Sequence, residues 1–149
     1  MSSTLVLVLS PLLIGAWLFR LPYGWILASA WWRKHGRVGR RFLVVYSNSP
    51  KWAAFFSEEV VPQVQDQAVV VDISKNPSWK SSRSLERRAH LHWGGRVEHT
   101  PIVIHFGNAW RVDTVRFYEA FQQMQRGDSS EVGSRLAKVL ELARAVERA

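Results

Sequence analysis

The stretch that decides the fold is residues 41–52, RFLVVYSNSPKW, because it combines a strand, a loop and the start of a helix. The run FLVVY is β-branched and aromatic, and the Ser-Asn-Ser-Pro cluster after it is typical of a turn. Pro50 suits the first turn of a helix, with Ser49 as its N-cap. This helix is predicted to continue to about Val61, and its buried face would consist of Trp52, Phe55, Phe56 and Val60.

Further segments with strand or helix character follow this stretch. Strands are predicted at residues 68–73, 101–106 and 110–115, and helices at residues 84–93, 117–125 and 130–148. The strand at residues 68–73, AVVVDI, is expected to be buried because it is almost entirely apolar. A parallel pair of strands joined by a helix and followed by a hairpin predicts an α/β domain, with a four-stranded mixed sheet flanked by helices.

Four segments of the chain, taken in order, resemble the thioredoxin-like superfamily. They are FLVVYSNSPKW (42–52), VVPQV (60–64), VDISKNP (71–77) and EHTPIV (98–103). In that family the first segment is the strand and helix start that normally carry Cys-x-x-Cys, and the last holds a cis-proline, which Pro101 would be. The resemblance covers residues 42–125 and implies a thioredoxin-like fold.

The chain departs from that family in having no cysteine. The dithiol positions would fall near Asn48 and Lys51, so the resemblance implies a degenerate redox-site loop of Asn48, Ser49, Pro50 and Lys51 beside Pro101. Thiol–disulfide exchange is excluded because the thiolate is its reactive species. The lack of cysteine also excludes a disulfide framework, a zinc–thiolate site and a thiol nucleophile.

The N-terminal part of the chain has the character of a membrane segment. Residues 1–57 carry seven basic side chains and no acidic one, so this part of the chain accounts for +7 of the net charge of +8. Residues 5–19, LVLVLSPLLIGAWLF, are almost continuously apolar, and the run counted from Ser2 reaches the lower length limit of a spanning helix. This pattern predicts a membrane-inserted N-terminus followed by a basic stop.

A second apolar run at residues 21–32 leaves two arrangements open. In one, a single long helix crosses the membrane with Arg20 in its middle. In the other, which we favour, the span ends near Phe19 and the second run lies in the interface, with a hairpin or re-entrant segment as a variant. The side chains expected at the membrane interface are Trp17, Arg20, Tyr23, Trp25, Trp31, Trp32, Arg33 and Lys34. Two buried helices of a soluble protein are disfavoured, because both runs nearly lack polar residues.

Orientation follows from the basic residues, five of which lie within residues 33–41. The positive-inside rule puts residues 33–149 on the cytoplasmic face, and we expect the membrane to be a bacterial inner membrane. We therefore expect residues 1–41 to form the membrane anchor and residues 42–149 the soluble domain with an extra C-terminal helix.

Other chemistries have weaker signals. The histidines do not stand at a recognised metal-binding spacing with a carboxylate, and no G-x-S-x-G elbow is present. The basic excess lies beside the apolar segment and not on the folded domain, which argues against nucleic acid. A basic cluster around Trp79 leaves three alternatives, which are a solvated face, contact with a lipid surface and binding of single-stranded nucleic acid. That cluster consists of Lys75, Lys80, Arg83, Arg87 and Arg88.

The sequence therefore predicts a non-catalytic, membrane-anchored accessory or assembly subunit of a membrane protein complex. We expect it to contact membrane lipids and other subunits, and to need no catalytic residue, cofactor, metal or nucleic acid. Eight tryptophans exceed what a core of this size needs, which favours protein partners. The alternatives are a thiol-independent enzyme that binds a glutathione-like ligand at the loop, and a membrane-tethered nucleic-acid-binding module.

Overall fold

A four-stranded mixed sheet is the centre of the fold. This computed structural model describes the backbone of residues 3–95 and 100–148, and the side chains of residues 15, 19–95 and 100–148. The strands are β1 (Phe42–Tyr46), β2 (Ala68–Asp72), β3 (Ile102–Phe106) and β4 (Val112–Arg116), arranged in the order β2-β1-β3-β4. The pair β1–β2 is parallel and the pairs β1–β3 and β3–β4 are antiparallel. The predicted mixed sheet is confirmed.

Helices cover both faces of the sheet. They are α1 (Ser3–Lys34), α2 (residues 53–64), α3 (Leu85–Gly94), α4 (Tyr118–Gln125) and α5 (Ser130–Glu147). Helix α2 consists of Ala53–Phe55, a π-helical turn at Phe56–Val60, and Val61–Val64. The crossover between β1 and β2 passes through α2, as the sequence predicts, and the α/β assignment is confirmed.

Strand β1 divides the core in two because its side chains alternate between the two faces. Phe42 and Val44 pack in the first core, which is formed with α2, α4 and α5. Leu43 and Val45 pack in the second core, which is formed with α1 and α3. All four side chains are buried, as expected of a central strand with a helical layer on each face.

The second core depends on the last two turns of α1. Leu27, Ala28 and Trp31 are buried there, and the Trp31 ring stacks on Phe106 with 4.2 Å between the ring centroids. The Trp31 Nε1 also donates a hydrogen bond of 3.0 Å to the carbonyl of Arg40. The 10-residue helix α3 is therefore not the whole cover of this face, and α1 completes it.

The two N-terminal apolar runs form one continuous helix, because α1 extends from Ser3 to Lys34, and the hairpin or re-entrant variant is therefore wrong. The helix continues through Pro22 and Gly24, which lie at the start of the second apolar run. Gly24 instead lies where α1 approaches α3, since a Cβ at this position would be 2.8 Å from the Nε2 of His92. Its lack of a side chain allows close packing and does not end the helix.

Two other local expectations also change. Helix α2 begins at Ala53 and not at Pro50, and residues 50–52 form a turn that leads into it. Ser49 makes the bonds of a capping residue to this turn, since its carbonyl accepts the N–H groups of Trp52 and Ala53 at 3.1 and 2.8 Å and its Oγ accepts the N–H of Lys51 at 3.4 Å. Strand β2 is less buried than expected, with only Ala68 among its residues fully buried. It is an edge strand, so within the described part of the chain one of its sides has no neighbouring strand.

Candidate functional site

The loop of Asn48, Ser49, Pro50 and Lys51, which the sequence predicts to be a degenerate redox site, lies between the end of β1 and the start of α2. The N–H of Asn48 donates to the Oγ of Ser74 at 2.8 Å, and the N–H of Ser74 donates to the Oδ1 of Asp72 at 3.0 Å. These two bonds tie the loop to the end of the neighbouring strand β2. Pro50 and Lys51 are exposed, and Ser49 is half-buried.

Pro101 lies at the same end of the strands as this loop. Val45 pairs with Ile102, so the residues that follow β1 and precede β3 meet at one end of the pair. The Thr100–Pro101 peptide bond is cis, Pro101 is buried, and its carbonyl accepts the N–H of Phe117 at 3.0 Å. His99 and Glu98, which belong to the same sequence segment, lie outside the described residues.

A cleft of about 190 Å³ opens beside the loop, between Lys51, Trp52 and the α4 residues Phe121 and Gln122. The Nε1 of Trp52 donates to the carbonyl of Ser47 at 3.1 Å, which fixes the indole as one wall. Ligand pockets usually measure roughly 300–1,000 Å³, so this cleft is small. Its described lining offers hydroxyl, ammonium and amide groups, without a paired nucleophile and base.

A second candidate is the exposed surface of α1 before it reaches the domain. We call this surface the apolar face, and its exposed side chains are Phe19, Tyr23 and Ile26. The exposed side chains of Leu21 and Trp25 lie on another side of the helix, towards the β3–β4 hairpin. Phe19 is 78% exposed and Ile26 is 62% exposed, which is unusual for side chains of this type. Contiguous apolar surface of this kind typically marks contact with a protein or a membrane.

The residues expected at a membrane interface divide into four groups. The Trp17 side chain lies outside the described residues. Arg20, Tyr23, Trp25, Arg33 and Lys34 are exposed on α1, and Trp32 is half-buried with the guanidinium of Arg41 4.8 Å from its ring centroid. Trp31 is fully buried in the second core, so its ring cannot meet lipid headgroups and that assignment is wrong. An apolar run that docks on a sheet has the same composition as one that enters lipid.

Contacts with α3 and with the β3–β4 hairpin hold the apolar face in place. The Nη2 of Arg20 donates to the carbonyl of His92 at 3.2 Å, and the Tyr23 ring meets the His92 ring edge-on at 5.5 Å. Trp25 meets Trp110, which is 72% exposed at the hairpin, with 5.0 Å between ring centroids. Burial and the positive charge of Arg20 both lower the pKa of His92, so this ring stays neutral close to α1.

A charged joint connects the C-terminal end of α1 to the first turn of α3. The Oε1 of Glu86 lies 2.7 Å from the Nζ of Lys34 and 2.6 Å from the Nε2 of His35. Burial acts to raise the pKa of Glu86, but the hydrogen bonds from Lys34, the backbone and His35 outweigh it and lower the pKa to about 2. Glu86 is therefore ionised at neutral pH and accepts from both partners. Sequence reasoning missed this joint because its members are 51 and 52 positions apart.

The remaining histidines do not assemble a metal site in the described part of the chain. Among residues 19–95 and 100–148, no group of three or more metal-ligand side chains comes together. Burial lowers the pKa of His105 and outweighs the opposite effect of Asp113, whose Oδ2 lies 3.6 Å from the Nδ1 of His105. His105 also packs against Phe42 and belongs to the interior of the sheet.

Comparison of the chain with known protein families, with curated proteins and with solved structures found no match. Within the described residues, no helix has both the length and the apolar character that a membrane crossing requires. Most of the predicted span at residues 5–19 lies outside the described side chains.

Proposed function

We propose that the chain is a membrane-associated, non-catalytic accessory subunit whose α1 helix contacts lipid through the apolar face. The observation that carries this proposal is the exposure of the apolar face on the same helix that ends in Arg33 and Lys34. Aromatic and aliphatic side chains next to a basic cluster are typical of the boundary between acyl chains and headgroups.

The length of α1 supports a role for it in both the membrane and the domain. At 1.5 Å per residue, its 32 residues extend for about 48 Å, compared with about 30 Å for the hydrocarbon layer of a bilayer. In this proposal residues 5–19 enter the bilayer and the apolar face lies at its boundary. Leu27 and Trp31 dock on the sheet. The basic residues that follow favour the cytoplasmic side, in a bacterial inner membrane.

We further propose that the domain is a thioredoxin-like one that has lost its redox chemistry. The strand order β2-β1-β3-β4, with one parallel pair and a terminal hairpin, supports this proposal. The loop at Asn48–Lys51 lies at the same end of the strands as Pro101, where such a domain would hold its active site. A small-molecule role is less well supported, because the cleft there is only about 190 Å³.

A role as an accessory subunit is supported by the aromatic surface around Trp25 and Trp110. These rings border a groove of about 450 Å³ between α1, α3 and the β3–β4 hairpin. Tryptophan is enriched at the centres of protein interfaces, where it supplies much of the binding energy. We expect another subunit of a membrane complex to cover this groove.

The absence of cysteine makes site-specific labelling a direct test of the membrane contact. Ile26→Cys and Met124→Cys each introduce one exposed labelling position, on α1 and on α4 respectively. Helix α4 packs on the opposite face of the sheet, so Met124→Cys is the matched control. A polarity-sensitive fluorophore is attached to each full-length variant in lipid vesicles that contain spin-labelled phospholipid.

We expect blue-shifted emission and quenching by the spin-labelled lipid for the fluorophore at position 26, and water-like emission for the one at position 124. In intact bacteria, a membrane-impermeant maleimide should label Met124→Cys only after permeabilisation. The proposal fails if both fluorophores report water, or if the full chain remains dispersed in buffer without detergent.

A further inference from the structure

Two basic clusters that are about fifty positions apart in the sequence meet in one cleft. The cleft is open, and it lies between the C-terminal end of α1 and the N-terminal end of α3. Its basic lining residues are Arg33, Lys34, Arg83 and Arg88, and Ala30 and Leu85 contribute apolar surface. We call it the basic cleft. The clusters meet because Leu85 and Ala89 pack with Trp31 in the second core.

The positive charge of the basic cleft is only partly compensated. Glu86 accepts from Lys34, so this pair is close to neutral. Among the described residues, Arg33, Arg83 and Arg88 form no ion pair, and all three side chains are exposed. Three guanidinium groups around one opening repel each other unless an anion lies between them. Guanidinium groups bind phosphate well because their N–H groups match its oxygen atoms in pairs.

The basic cleft continues the apolar face along one side of α1. Phe19, Ile26 and Arg33 are spaced by seven residues, and Ala30 follows Ile26 by four, so the four lie on one stripe of the helix. At 1.5 Å per residue, Ile26 and Arg33 are about 10 Å apart along the axis. The stripe thus changes from apolar to basic over about the length of a phospholipid headgroup region. A ligand with both acyl chains and a phosphate matches this change, whereas a free phosphate ion would need only the basic part.

We infer that the basic cleft binds the headgroup of an anionic phospholipid whose acyl chains lie along Phe19 and Ile26. This inference rests on the membrane contact proposed above and adds the class of lipid. Arg33, Arg83 and Arg88 hold the phosphate. A zwitterionic lipid binds less well, because its cationic choline or ethanolamine group would approach the arginines. Each arginine contributes roughly fivefold to binding at an anionic surface.

Binding is tested with the full chain in a neutral, mild detergent. Isothermal titration with short-chain phosphatidylglycerol is compared with short-chain phosphatidylcholine, inorganic phosphate and a single-stranded RNA oligonucleotide. The test variant is the triple substitution Arg33→Gln, Arg83→Gln and Arg88→Gln. The control triple, Arg126→Gln, Arg144→Gln and Arg148→Gln, removes the same charge from exposed positions in or beside α4 and α5.

We expect wild type and the control triple to bind phosphatidylglycerol equally, and the test triple to bind it roughly 100-fold more weakly. Phosphatidylcholine and phosphate should bind weakly to all three proteins. Near-UV circular dichroism checks the fold, and if the triple is unfolded, the single Arg88→Gln variant should still show about fivefold weaker binding.

Equal binding of phosphatidylglycerol by wild type and the test triple would overturn the inference. So would equal affinity for the two lipids, phosphate binding as tight as that of phosphatidylglycerol, or RNA binding that is tighter than lipid binding and lost in the same variant. If the fluorophore at position 26 reports lipid while the titration fails, the headgroup site is refuted and the membrane contact stands.

Discussion

Replacing Glu86 by glutamine tests how strongly the charged joint holds α1 to the domain. Glutamine keeps the size of the side chain but removes the charge that accepts from Lys34 and His35 at 2.7 and 2.6 Å. The Glu86 side chain is only 12% exposed, so water replaces these partners poorly. The substitution therefore leaves the Lys34 ammonium and the His35 ring without an anionic partner.

The pKa of Glu86 sets the size of the expected effect. A fall in this pKa from 4.5 to about 2 corresponds to an upper limit of roughly 3 kcal/mol of folding stability at neutral pH. Lys34 is 55% exposed, and solvent screening reduces its share. We expect Glu86→Gln to lower the free energy of unfolding by about 2 kcal/mol at pH 7.

The pH dependence has a definite sign. Because the pKa of Glu86 is lower in the folded than in the unfolded chain, its stabilising effect is complete above about pH 4.5 and is lost as the pH falls towards 2. The free energies of unfolding of wild type and Glu86→Gln should therefore differ most at neutral pH and converge on acidification.

Urea unfolding of the full chain in mild detergent, followed by near-UV circular dichroism from pH 7 to pH 2.5, measures both effects. The control is Glu141→Gln, which alters an exposed carboxylate on α5 and should change the free energy of unfolding by less than about 0.5 kcal/mol. The reasoning is refuted if Glu86→Gln behaves like this control at pH 7, or if the difference from wild type stays constant as the pH falls.

Two further predictions address the cores. Trp31→Ala should lower the free energy of unfolding by about 3–5 kcal/mol, because it empties a fully buried site. Trp110→Ala, at a 72% exposed position, should lower it by less than about 1 kcal/mol. Equal losses for the two variants in chemical denaturation would contradict the packing of Trp31 in the second core. His105 should titrate below 6.5 in NMR spectra, because burial lowers its pKa, and its stabilising effect should therefore weaken as the pH falls below about 6.5. Asp113→Asn should lower this pKa further, since Asp113 opposes the effect of burial, and an unchanged or raised pKa would contradict the role given to Asp113.

The strands could be predicted because their signals are local. The side chains of FLVVY, which point alternately to the two faces of the strand, are all aromatic or aliphatic, and the structure buries the strand on both faces of the sheet. The docking of Leu27, Ala28 and Trp31 could not be predicted, because a run of apolar residues is compatible with lipid and with a protein core alike. Helix α2 starts three residues beyond the predicted Pro50, because a turn at residues 50–52 precedes its first residue, and composition does not distinguish such a turn from the first turn of a helix.

The candidate sites show the same difference between local signals, which a sequence carries, and contacts between distant positions, which it does not. The loop at Asn48–Lys51 is contiguous in sequence, so its position after β1 followed from the strand. The joint of Glu86 with Lys34 and His35, and the meeting of Arg33 with Arg83 and Arg88, depend on the packing of α1 against α3. Such contacts between distant positions are decided by tertiary structure, and one sequence carries no direct signal for them.

Because Leu27, Ala28 and Trp31 belong to the second core, the helix proposed to enter the bilayer is also a structural layer of the domain. A truncated fragment that starts at residue 42 would uncover Leu43, Val45, Ile104 and Phe106 and would be prone to aggregate. A usable shortened version has to begin ahead of Leu27. For the same reason, if α1 is the membrane anchor as proposed, the domain cannot rotate freely on it, and the helix sets the tilt of the domain relative to the bilayer plane.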